Sequence, residues 1–327
     1  MSIRLCMNLA RRLAARSNSA CLQLCSTAAV CRHAATANGF SPGHVGALLL
    51  LLASVAIAPA ATNDWPITYE HIRRTEPNLS IHVARVNLAD PRVSVTVTPG
   101  GADPDGDGPW VTTLLPTSEM AARERLALAV NGDFFLVPTN AETGRIVAYR
   151  RGVFARPQGW ARTDGRDWHI SDVRRAAVAI TISNTVAFLH PDRSQPPDPH
   201  LPQVLGGGPM LLRNGQMLVR EDSANPVRHP RTAVGTDATG RELVLLVVDG
   251  RQPALSVGMT LADLATELAR LGCTDAMNLD GGGSSTLVLQ TNATARLRVL
   301  NSPSDGRERA VVNGLGVRVR AAAAGPP

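Results

Sequence analysis

Tight turns between short apolar segments, dense in the second half of the chain, most limit what it can fold into. Residues 210–213 and 216–219 flank Asn214-Gly215, a dipeptide that accepts the positive φ angles of a two-residue hairpin. Residues 231–236 and 241–248 flank Asp237-Ala238-Thr239-Gly240 in the same manner. Strand-like segments recur at 81–86, 92–97, 126–130, 177–182, 186–189, 275–279, 286–289, 297–300 and 311–319. Two helices are expected. One spans 117–128, opened by Thr117 and rich in Ala, Glu and Arg. The other starts at Thr260 with Asp263 three residues on, sets Leu261, Leu264, Ala265, Leu268 and Leu271 on one face, and stops at Gly272. No regular βαβ alternation appears. The expected class is α+β, a curved, largely antiparallel sheet with a few packed helices in a single domain.

The chain is not uniform along its 327 residues. No acidic residue precedes Asp64, whereas Arg4, Arg11, Arg12, Arg16 and Arg32 precede an apolar run at 45–58 and the small residues Ala56, Ala58, Ala60 and Ala61. That order reads as a secretory leader over 1–61, and its compact leucine core argues against an organellar transit peptide. The run falls short of the ~20 apolar residues that span a bilayer, so export to the periplasm or the exterior is expected, with anchoring by an uncleaved leader as the lesser alternative. Five of the 33 basic residues lie in the leader, which leaves 28 against 27 acidic ones and a net charge of +1. The basic pI therefore belongs to the leader and gives no support for a nucleic-acid partner. Every basic residue is arginine, so any phosphate contact uses guanidinium. Only Cys273 lies beyond the leader, which excludes an internal disulfide and a cysteine metal site there. The remaining ~265 residues can build one large core. Residues 62–120 are expected to supply N-terminal strands and a loop, 121–320 the core, 321–327 a disordered tail, and the proline-rich stretch 191–202 an exposed loop.

The run Ala276-Met277-Asn278-Leu279-Asp280-Gly281-Gly282-Gly283-Ser284-Ser285-Thr286 joins an apolar strand to a carboxylate and three glycines. Successive residues without Cβ let backbone N–H groups converge on an anion, although a plain tight turn has the same composition. Four other segments share this punctuation: Asn131-Gly132-Asp133-Phe134-Phe135, Gly206-Gly207-Gly208-Pro209-Met210-Leu211, Pro230-Arg231-Thr232-Ala233-Val234-Gly235 and Val248-Asp249-Gly250-Arg251. In chain order, with Gly258-Met259-Thr260-Leu261 between Val248-Asp249-Gly250-Arg251 and the Asp280 run, the set resembles the phosphodiester glycosidase family from about Asn131 to Arg318.

That resemblance implies hydrolysis of the glycosidic C1–O bond of a sugar-1-phosphate diester, with a phosphomonoester as leaving group. Such a group has a second pKa of about 6 and departs without a strong proton donor, so a cationic grip matters more than a general acid. Arg231 is the first choice for the grip, followed by Arg309 and Arg251, with Gly207, Gly208, Gly281, Gly282, Gly283, Ser284 and Ser285 as further phosphate contacts. Asp280 is the leading carboxylate for activating water or attacking C1, and a nearby arginine is expected to keep it ionised. Asp249 and Asp133 are the other catalytic candidates. Asn131 either binds a sugar hydroxyl or ties two loops together, Phe134 and Phe135 belong to the core or line a sugar pocket, and His229 either assists the leaving phosphate or has no role.

Asp103, Asp105 and Asp107 alternate as in the opening of a calcium loop, but the twelfth position is Leu114 rather than glutamate, so a polar surface turn is preferred and no cofactor is expected. No histidine-based metal cluster stands out. Acyl transfer through Ser284 or Ser285 lacks the G-x-S-x-G elbow and a marked histidine. Cleavage at phosphorus and non-catalytic binding of phosphorylated glycans remain as alternatives. The expected partner is a small-molecule or polysaccharide glycosyl-phosphate diester, with no nucleic acid and no obligatory membrane partner; oligomeric state stays open.

Overall fold

The run Leu243-Val244-Leu245-Leu246-Val247-Val248 is buried along its whole length, so the strand Glu242–Val248 must lie at the centre of a sheet covered on both faces. The computed structural model describes residues 65–170, 175–189, 198–219, 227–290 and 296–321. The leader expected over 1–61, most of the proline-rich stretch and the tail expected at 321–327, apart from residue 321, lie outside these. Glu242–Val248 pairs antiparallel with Arg231–Thr236 on one side and Asn78–Asn87 on the other. The hairpin partner Ile67–Thr75 closes one edge, while Asp275–Asn278, Met210–Arg213 and Gln216–Met217 complete the seven strands beyond Arg231–Thr236.

Two five-stranded antiparallel sheets pack with it. One contains Arg166–His169, Ala161–Thr163, Gln203–Gly207, Ala176–Ile180 and Val186–Leu189. The other contains Leu297–Val299, Leu287–Gln290, Leu128–Asn131, Asn313–Val319 and Val93–Pro99. Leu243, Leu245 and Val247 face a core shared with Val178 and Leu205 of the first and Leu128, Val130 and Leu315 of the second. Val244, Leu246 and Val248 face the helix Leu261–Arg270, which buries Leu261, Leu264, Ala265 and Leu268. Its capping box forms as the sequence requires: Asp263 N–H donates to Thr260 Oγ1 at 3.1 Å and Thr260 N–H to Asp263 Oδ2 at 3.2 Å.

The α+β expectation is corrected. Among the described residues the α-helices are only Leu261–Arg270 and the seven-residue Thr117–Arg123, and the fold is mostly β. The first helix was expected to reach residue 128. It stops because Arg125 takes a left-handed φ of 53° and Leu128–Asn131 joins a sheet, where Leu128 and Val130 gain a buried face. The hairpins at Asn214-Gly215 and 237–240 form as expected, whereas Ile67–Thr75 and the strands between 154 and 169 carried too little apolar alternation to read. No helix among the described residues is long and apolar enough to cross a membrane.

Candidate active site

The strand Asp275–Asn278 delivers Asp280 to the meeting point of the large sheet and the sheet containing Leu128–Asn131. Asn131, fully buried, holds the loop at both ends. Its Nδ2 donates to the Asp280 carbonyl at 2.6 Å, and its Oδ1 accepts from Thr286 N–H at 3.1 Å and Thr232 Oγ1 at 2.7 Å. Of its two expected roles the structure supplies the loop tie, with both ends of the amide engaged by protein. Asp280 N–H also donates to the Gly132 carbonyl at 3.0 Å, so this backbone is fixed before any ligand arrives.

Asp133 lies on the neighbouring segment, buried, with its N–H bonded to Asn313 Oδ1 at 2.8 Å and its Oδ2 accepting from Gly159 N–H at 2.6 Å. Burial pushes its carboxyl up to about 7 against the pull of the Gly159 N–H and the Arg175 charge, and the charge of Asp280 adds to the rise. Burial likewise pushes Asp280 up to about 6, although the adjoining Ser284 hydroxyl, Arg309 and the Gly281 N–H all draw it down. The expectation that an arginine keeps Asp280 at an ordinary carboxylate value is therefore corrected: Arg309 acts in that direction, but desolvation outweighs it.

The anion nest expected of the glycine loop is corrected as well. Gly281 N–H donates to Asp280 Oδ1 at 2.9 Å, Gly282 N–H to the Pro230 carbonyl at 2.9 Å, and Ser284 and Ser285 N–H to Gly281 and Gly282 carbonyls at 3.2 Å each. The glycines instead admit guanidinium groups. Gly282 has φ +62°, and a Cβ there would stand 3.1 Å from Arg251 Nη2; one at Gly283 would run into Arg309 and Asp305. Gly207 is tightly packed, since a Cβ there would meet Met277 at 2.7 Å, and Gly208, with φ +137°, donates its N–H to the Asn278 carbonyl at 2.7 Å.

Arg231, Arg251 and Arg309 all approach this loop. Arg231 is buried, with Nε on the Met259 carbonyl at 2.9 Å and Nη2 on the Val227 carbonyl at 3.3 Å. Burial and then the Arg251 charge lower it to about 10, so it remains charged at neutral pH. Arg251 Nη2 is 3.3 Å from His229 Nδ1, whose basicity is lowered by burial and by Arg231 and Arg251. Neither Arg231 nor Arg251 has a carboxylate partner among the described residues, whereas Arg309 pairs with Asp305 at 2.8 Å and lies 4.6 Å from the Tyr149 ring centroid.

Asp249 is the candidate whose two carboxylate oxygens are both taken up by protein donors. Its Oδ2 meets His82 Nε2 at 3.0 Å, its Oδ1 accepts from Ser302 N–H at 2.7 Å and Asn301 Nδ2 at 3.3 Å, and it is buried. A carboxylate so fully engaged holds structure. Phe134 packs beneath Arg175, 5.5 Å from ring centroid to guanidinium, and Phe135 meets Tyr149 edge-on at 5.7 Å. In the 103–107 turn Asp103 Oδ1 accepts from the N–H groups of Asp105 and Gly106 at 3.1 and 2.9 Å, the bonding of a surface turn. Arg175, Asn313, Asn301 and Tyr149 were missed from sequence; none stands in a motif, and only the sheet topology brings them in.

The buried side-chain atoms without a hydrogen-bond partner among the described residues are concentrated here: Asp133 Oδ1, Asn278 Oδ1, Ser284 Oγ, Ser285 Oγ, Thr286 Oγ1 and Asn313 Nδ2. Donors and acceptors in this density suit a hydroxyl-rich ligand. The arrangement thus offers two raised carboxyls, a polar lining, and two guanidinium groups without carboxylate partners among the described residues.

Comparison with known proteins was made on this footing. The phosphodiester glycosidase family profile matches residues 124–318. The N-acetylglucosamine-1-phosphodiester alpha-N-acetylglucosaminidase of Bos taurus is 30% identical over 203 residues, 57% of this chain and 36% of its own. The Mus musculus protein of that name is 29% identical over 224 residues, 64% and 39% of the two chains. The chain thus spans little more than a third of the length of these relatives. Among solved structures, the zebrafish catalytic domain of that enzyme, auto-inhibited by its pro-peptide, superposes with TM-score 0.53 at 23% identity, over 79% of this chain and 86% of that one. A hypothetical protein from Synechocystis gives TM-score 0.56 at 16% identity, over 78% and 62%. These two likenesses concern the fold alone.

Proposed function

Because the chain belongs to the phosphodiester glycosidase family, we propose that it is an exported hydrolase cleaving the C1–O bond of sugar-1-phosphate diesters. The observation that carries this reading is the charge gathered at the glycine loop: the raised carboxyls of Asp280 and Asp133, and Arg231 and Arg251, which have no carboxylate partner among the described residues. A glycosyl phosphodiester has the matching polarity, with an anionic group at one end and an electron-poor anomeric carbon at the other. The guanidinium groups bind the phosphate and stabilise the charge that grows on it as the C1–O bond breaks. Asp280, ionised above about pH 6, either removes a proton from the attacking water or adds to C1 itself. Asp133, near half-protonated at neutral pH, exchanges a proton with the water or sugar hydroxyl beside it. Ser284, Ser285, Asn278 and Asn313 supply hydrogen bonds to the sugar. No metal or organic cofactor enters this scheme. Export rests on the acid-free apolar leader.

The test is a set of α- and β-linked sugar-1-phosphate diesters offered to the purified protein. Free reducing sugar and phosphomonoester are expected in equal amounts from at least one. Binding without turnover across the set would make the protein a phosphoglycan-binding module instead.

A further inference from the structure

Outside the reacting centre, the densest cluster of titratable side chains joins the hairpin Ile67–Thr75 and Asn78–Asn87 to Asp249. The Tyr69 hydroxyl lies 2.8 Å from His82 Nδ1, and His82 Nε2 lies 3.0 Å from Asp249 Oδ2 and 3.2 Å from Ser80 Oγ. Ser80 Oγ is in turn 2.9 Å from His71 Nε2, and the two imidazoles stack with centroids 4.4 Å apart. Ser80, His82 and Asp249 are buried, whereas Tyr69 and His71 lie at the surface. Because a carboxylate faces Nε2, that nitrogen carries the proton and Nδ1 accepts from Tyr69.

The cluster continues toward the catalytic loop. Asp249 Oδ1 accepts from Ser302 N–H and Asn301 Nδ2. Asn301 Nδ2 donates to the Ser285 carbonyl at 2.9 Å, and Asn301 Oδ1 accepts from Leu287 N–H at 2.9 Å. A continuous set of hydrogen bonds therefore runs from a hairpin that precedes the family match at residue 124 to the far arm of the loop carrying Asp280.

We propose that His82 is a positioning residue for this loop. It fixes the orientation of the Asp249 carboxylate, Asp249 fixes Asn301 and Ser302, and Asn301 fixes Ser285 beside the reacting groups. Without His82, Asp249 Oδ2 would lack its buried donor, the carboxylate would turn, and the bonds at Oδ1 would loosen. The kinetic part of this inference rests on the glycosidase reading; the mechanical part does not.

Hydrogen exchange by mass spectrometry and steady-state kinetics on the full chain test both parts. In His82→Leu, exchange is expected to quicken about tenfold, the scale of one hydrogen bond, in peptides over 283–290 and 300–304, with 261–270 unchanged. kcat should fall by about tenfold with KM within about twofold. His82→Gln, whose amide can donate to Asp249, should restore both. His82→Asn, too short to reach, should behave as His82→Leu and serves if the leucine variant does not fold. Faster exchange confined to 67–87, or spread evenly through 261–270, with kcat unchanged, would overturn the proposal. Should the unmodified protein turn over no diester, the glycosidase reading falls and the exchange pattern alone decides the role of His82.

Discussion

Asp249 and Asp280 begin from the same local design, an apolar strand ending in Asp-Gly, and finish in opposite states. Asp249 closes Glu242–Val248 and is met by His82, Asn301 and the Ser302 N–H. Asp280 follows Asp275–Asn278, and burial lifts it to about 6 although the Ser284 hydroxyl, Arg309 and the Gly281 N–H next to it draw it down. The first carboxylate is met by protein donors at both oxygens and holds two loops. The second has fewer donors than burial demands, and so keeps a proton affinity near neutrality. What separates the two aspartates here is the number of donors that tertiary structure brings to each.

The contrast breaks first if Asp280→Asn keeps its activity. It is expected to lose about 10²–10⁴-fold in kcat/KM without loss of Tm, because an amide cannot act as base or nucleophile. Asp249→Ala should do the reverse in kind: chemical denaturation should show a loss of about 3–5 kcal/mol, since buried His82, Asn301 and the Ser302 N–H are left without an acceptor. Arg231→Ala, which removes an uncompensated charge rather than an ion pair, should lower kcat/KM about 10²–10³-fold, measured on the best diester.

The smallest effect sharpens the comparison through pH. Asp133 is raised to about 7 in the folded state against an ordinary 3.8, so the folded protein binds the proton more tightly than the unfolded chain. Its ionisation therefore costs stability as pH rises from about 4 through 7, and neutralising it should help only above that window. Asp133→Asn is expected to be more stable than the unmodified protein at pH 8, by about 1–3 kcal/mol, and to unfold at a correspondingly higher temperature, with the gain vanishing near pH 4. A Tm difference independent of pH would contradict the raised value.

Much of this arrangement was legible because turn chemistry and capping are local. Asn214-Gly215, the Thr260–Asp263 capping box and the ordered glycine and aspartate segments each needed only a few neighbouring residues. The balance of strand against helix was harder: residues 124–128 satisfy a helical pattern, and only pairing with Asn313–Val319 makes Leu128–Asn131 a strand. Arg231, Arg251 and Arg309 were read as neighbours of the loop, but the inward turning of its N–H groups depends on Pro230. The roles of His82, Asn301 and Asn313 were not legible at all, because each is defined by a partner more than ten residues away in sequence, brought near only by strand pairing.

The most direct test of a reaction at carbon is hydrolysis in ¹⁸O-enriched water followed by mass spectrometry of both products. The proposed mechanism predicts heavy oxygen on C1 of the released sugar and none in the phosphomonoester. Label in the phosphate would place the attack at phosphorus and contradict the assignment of Asp280 to the sugar.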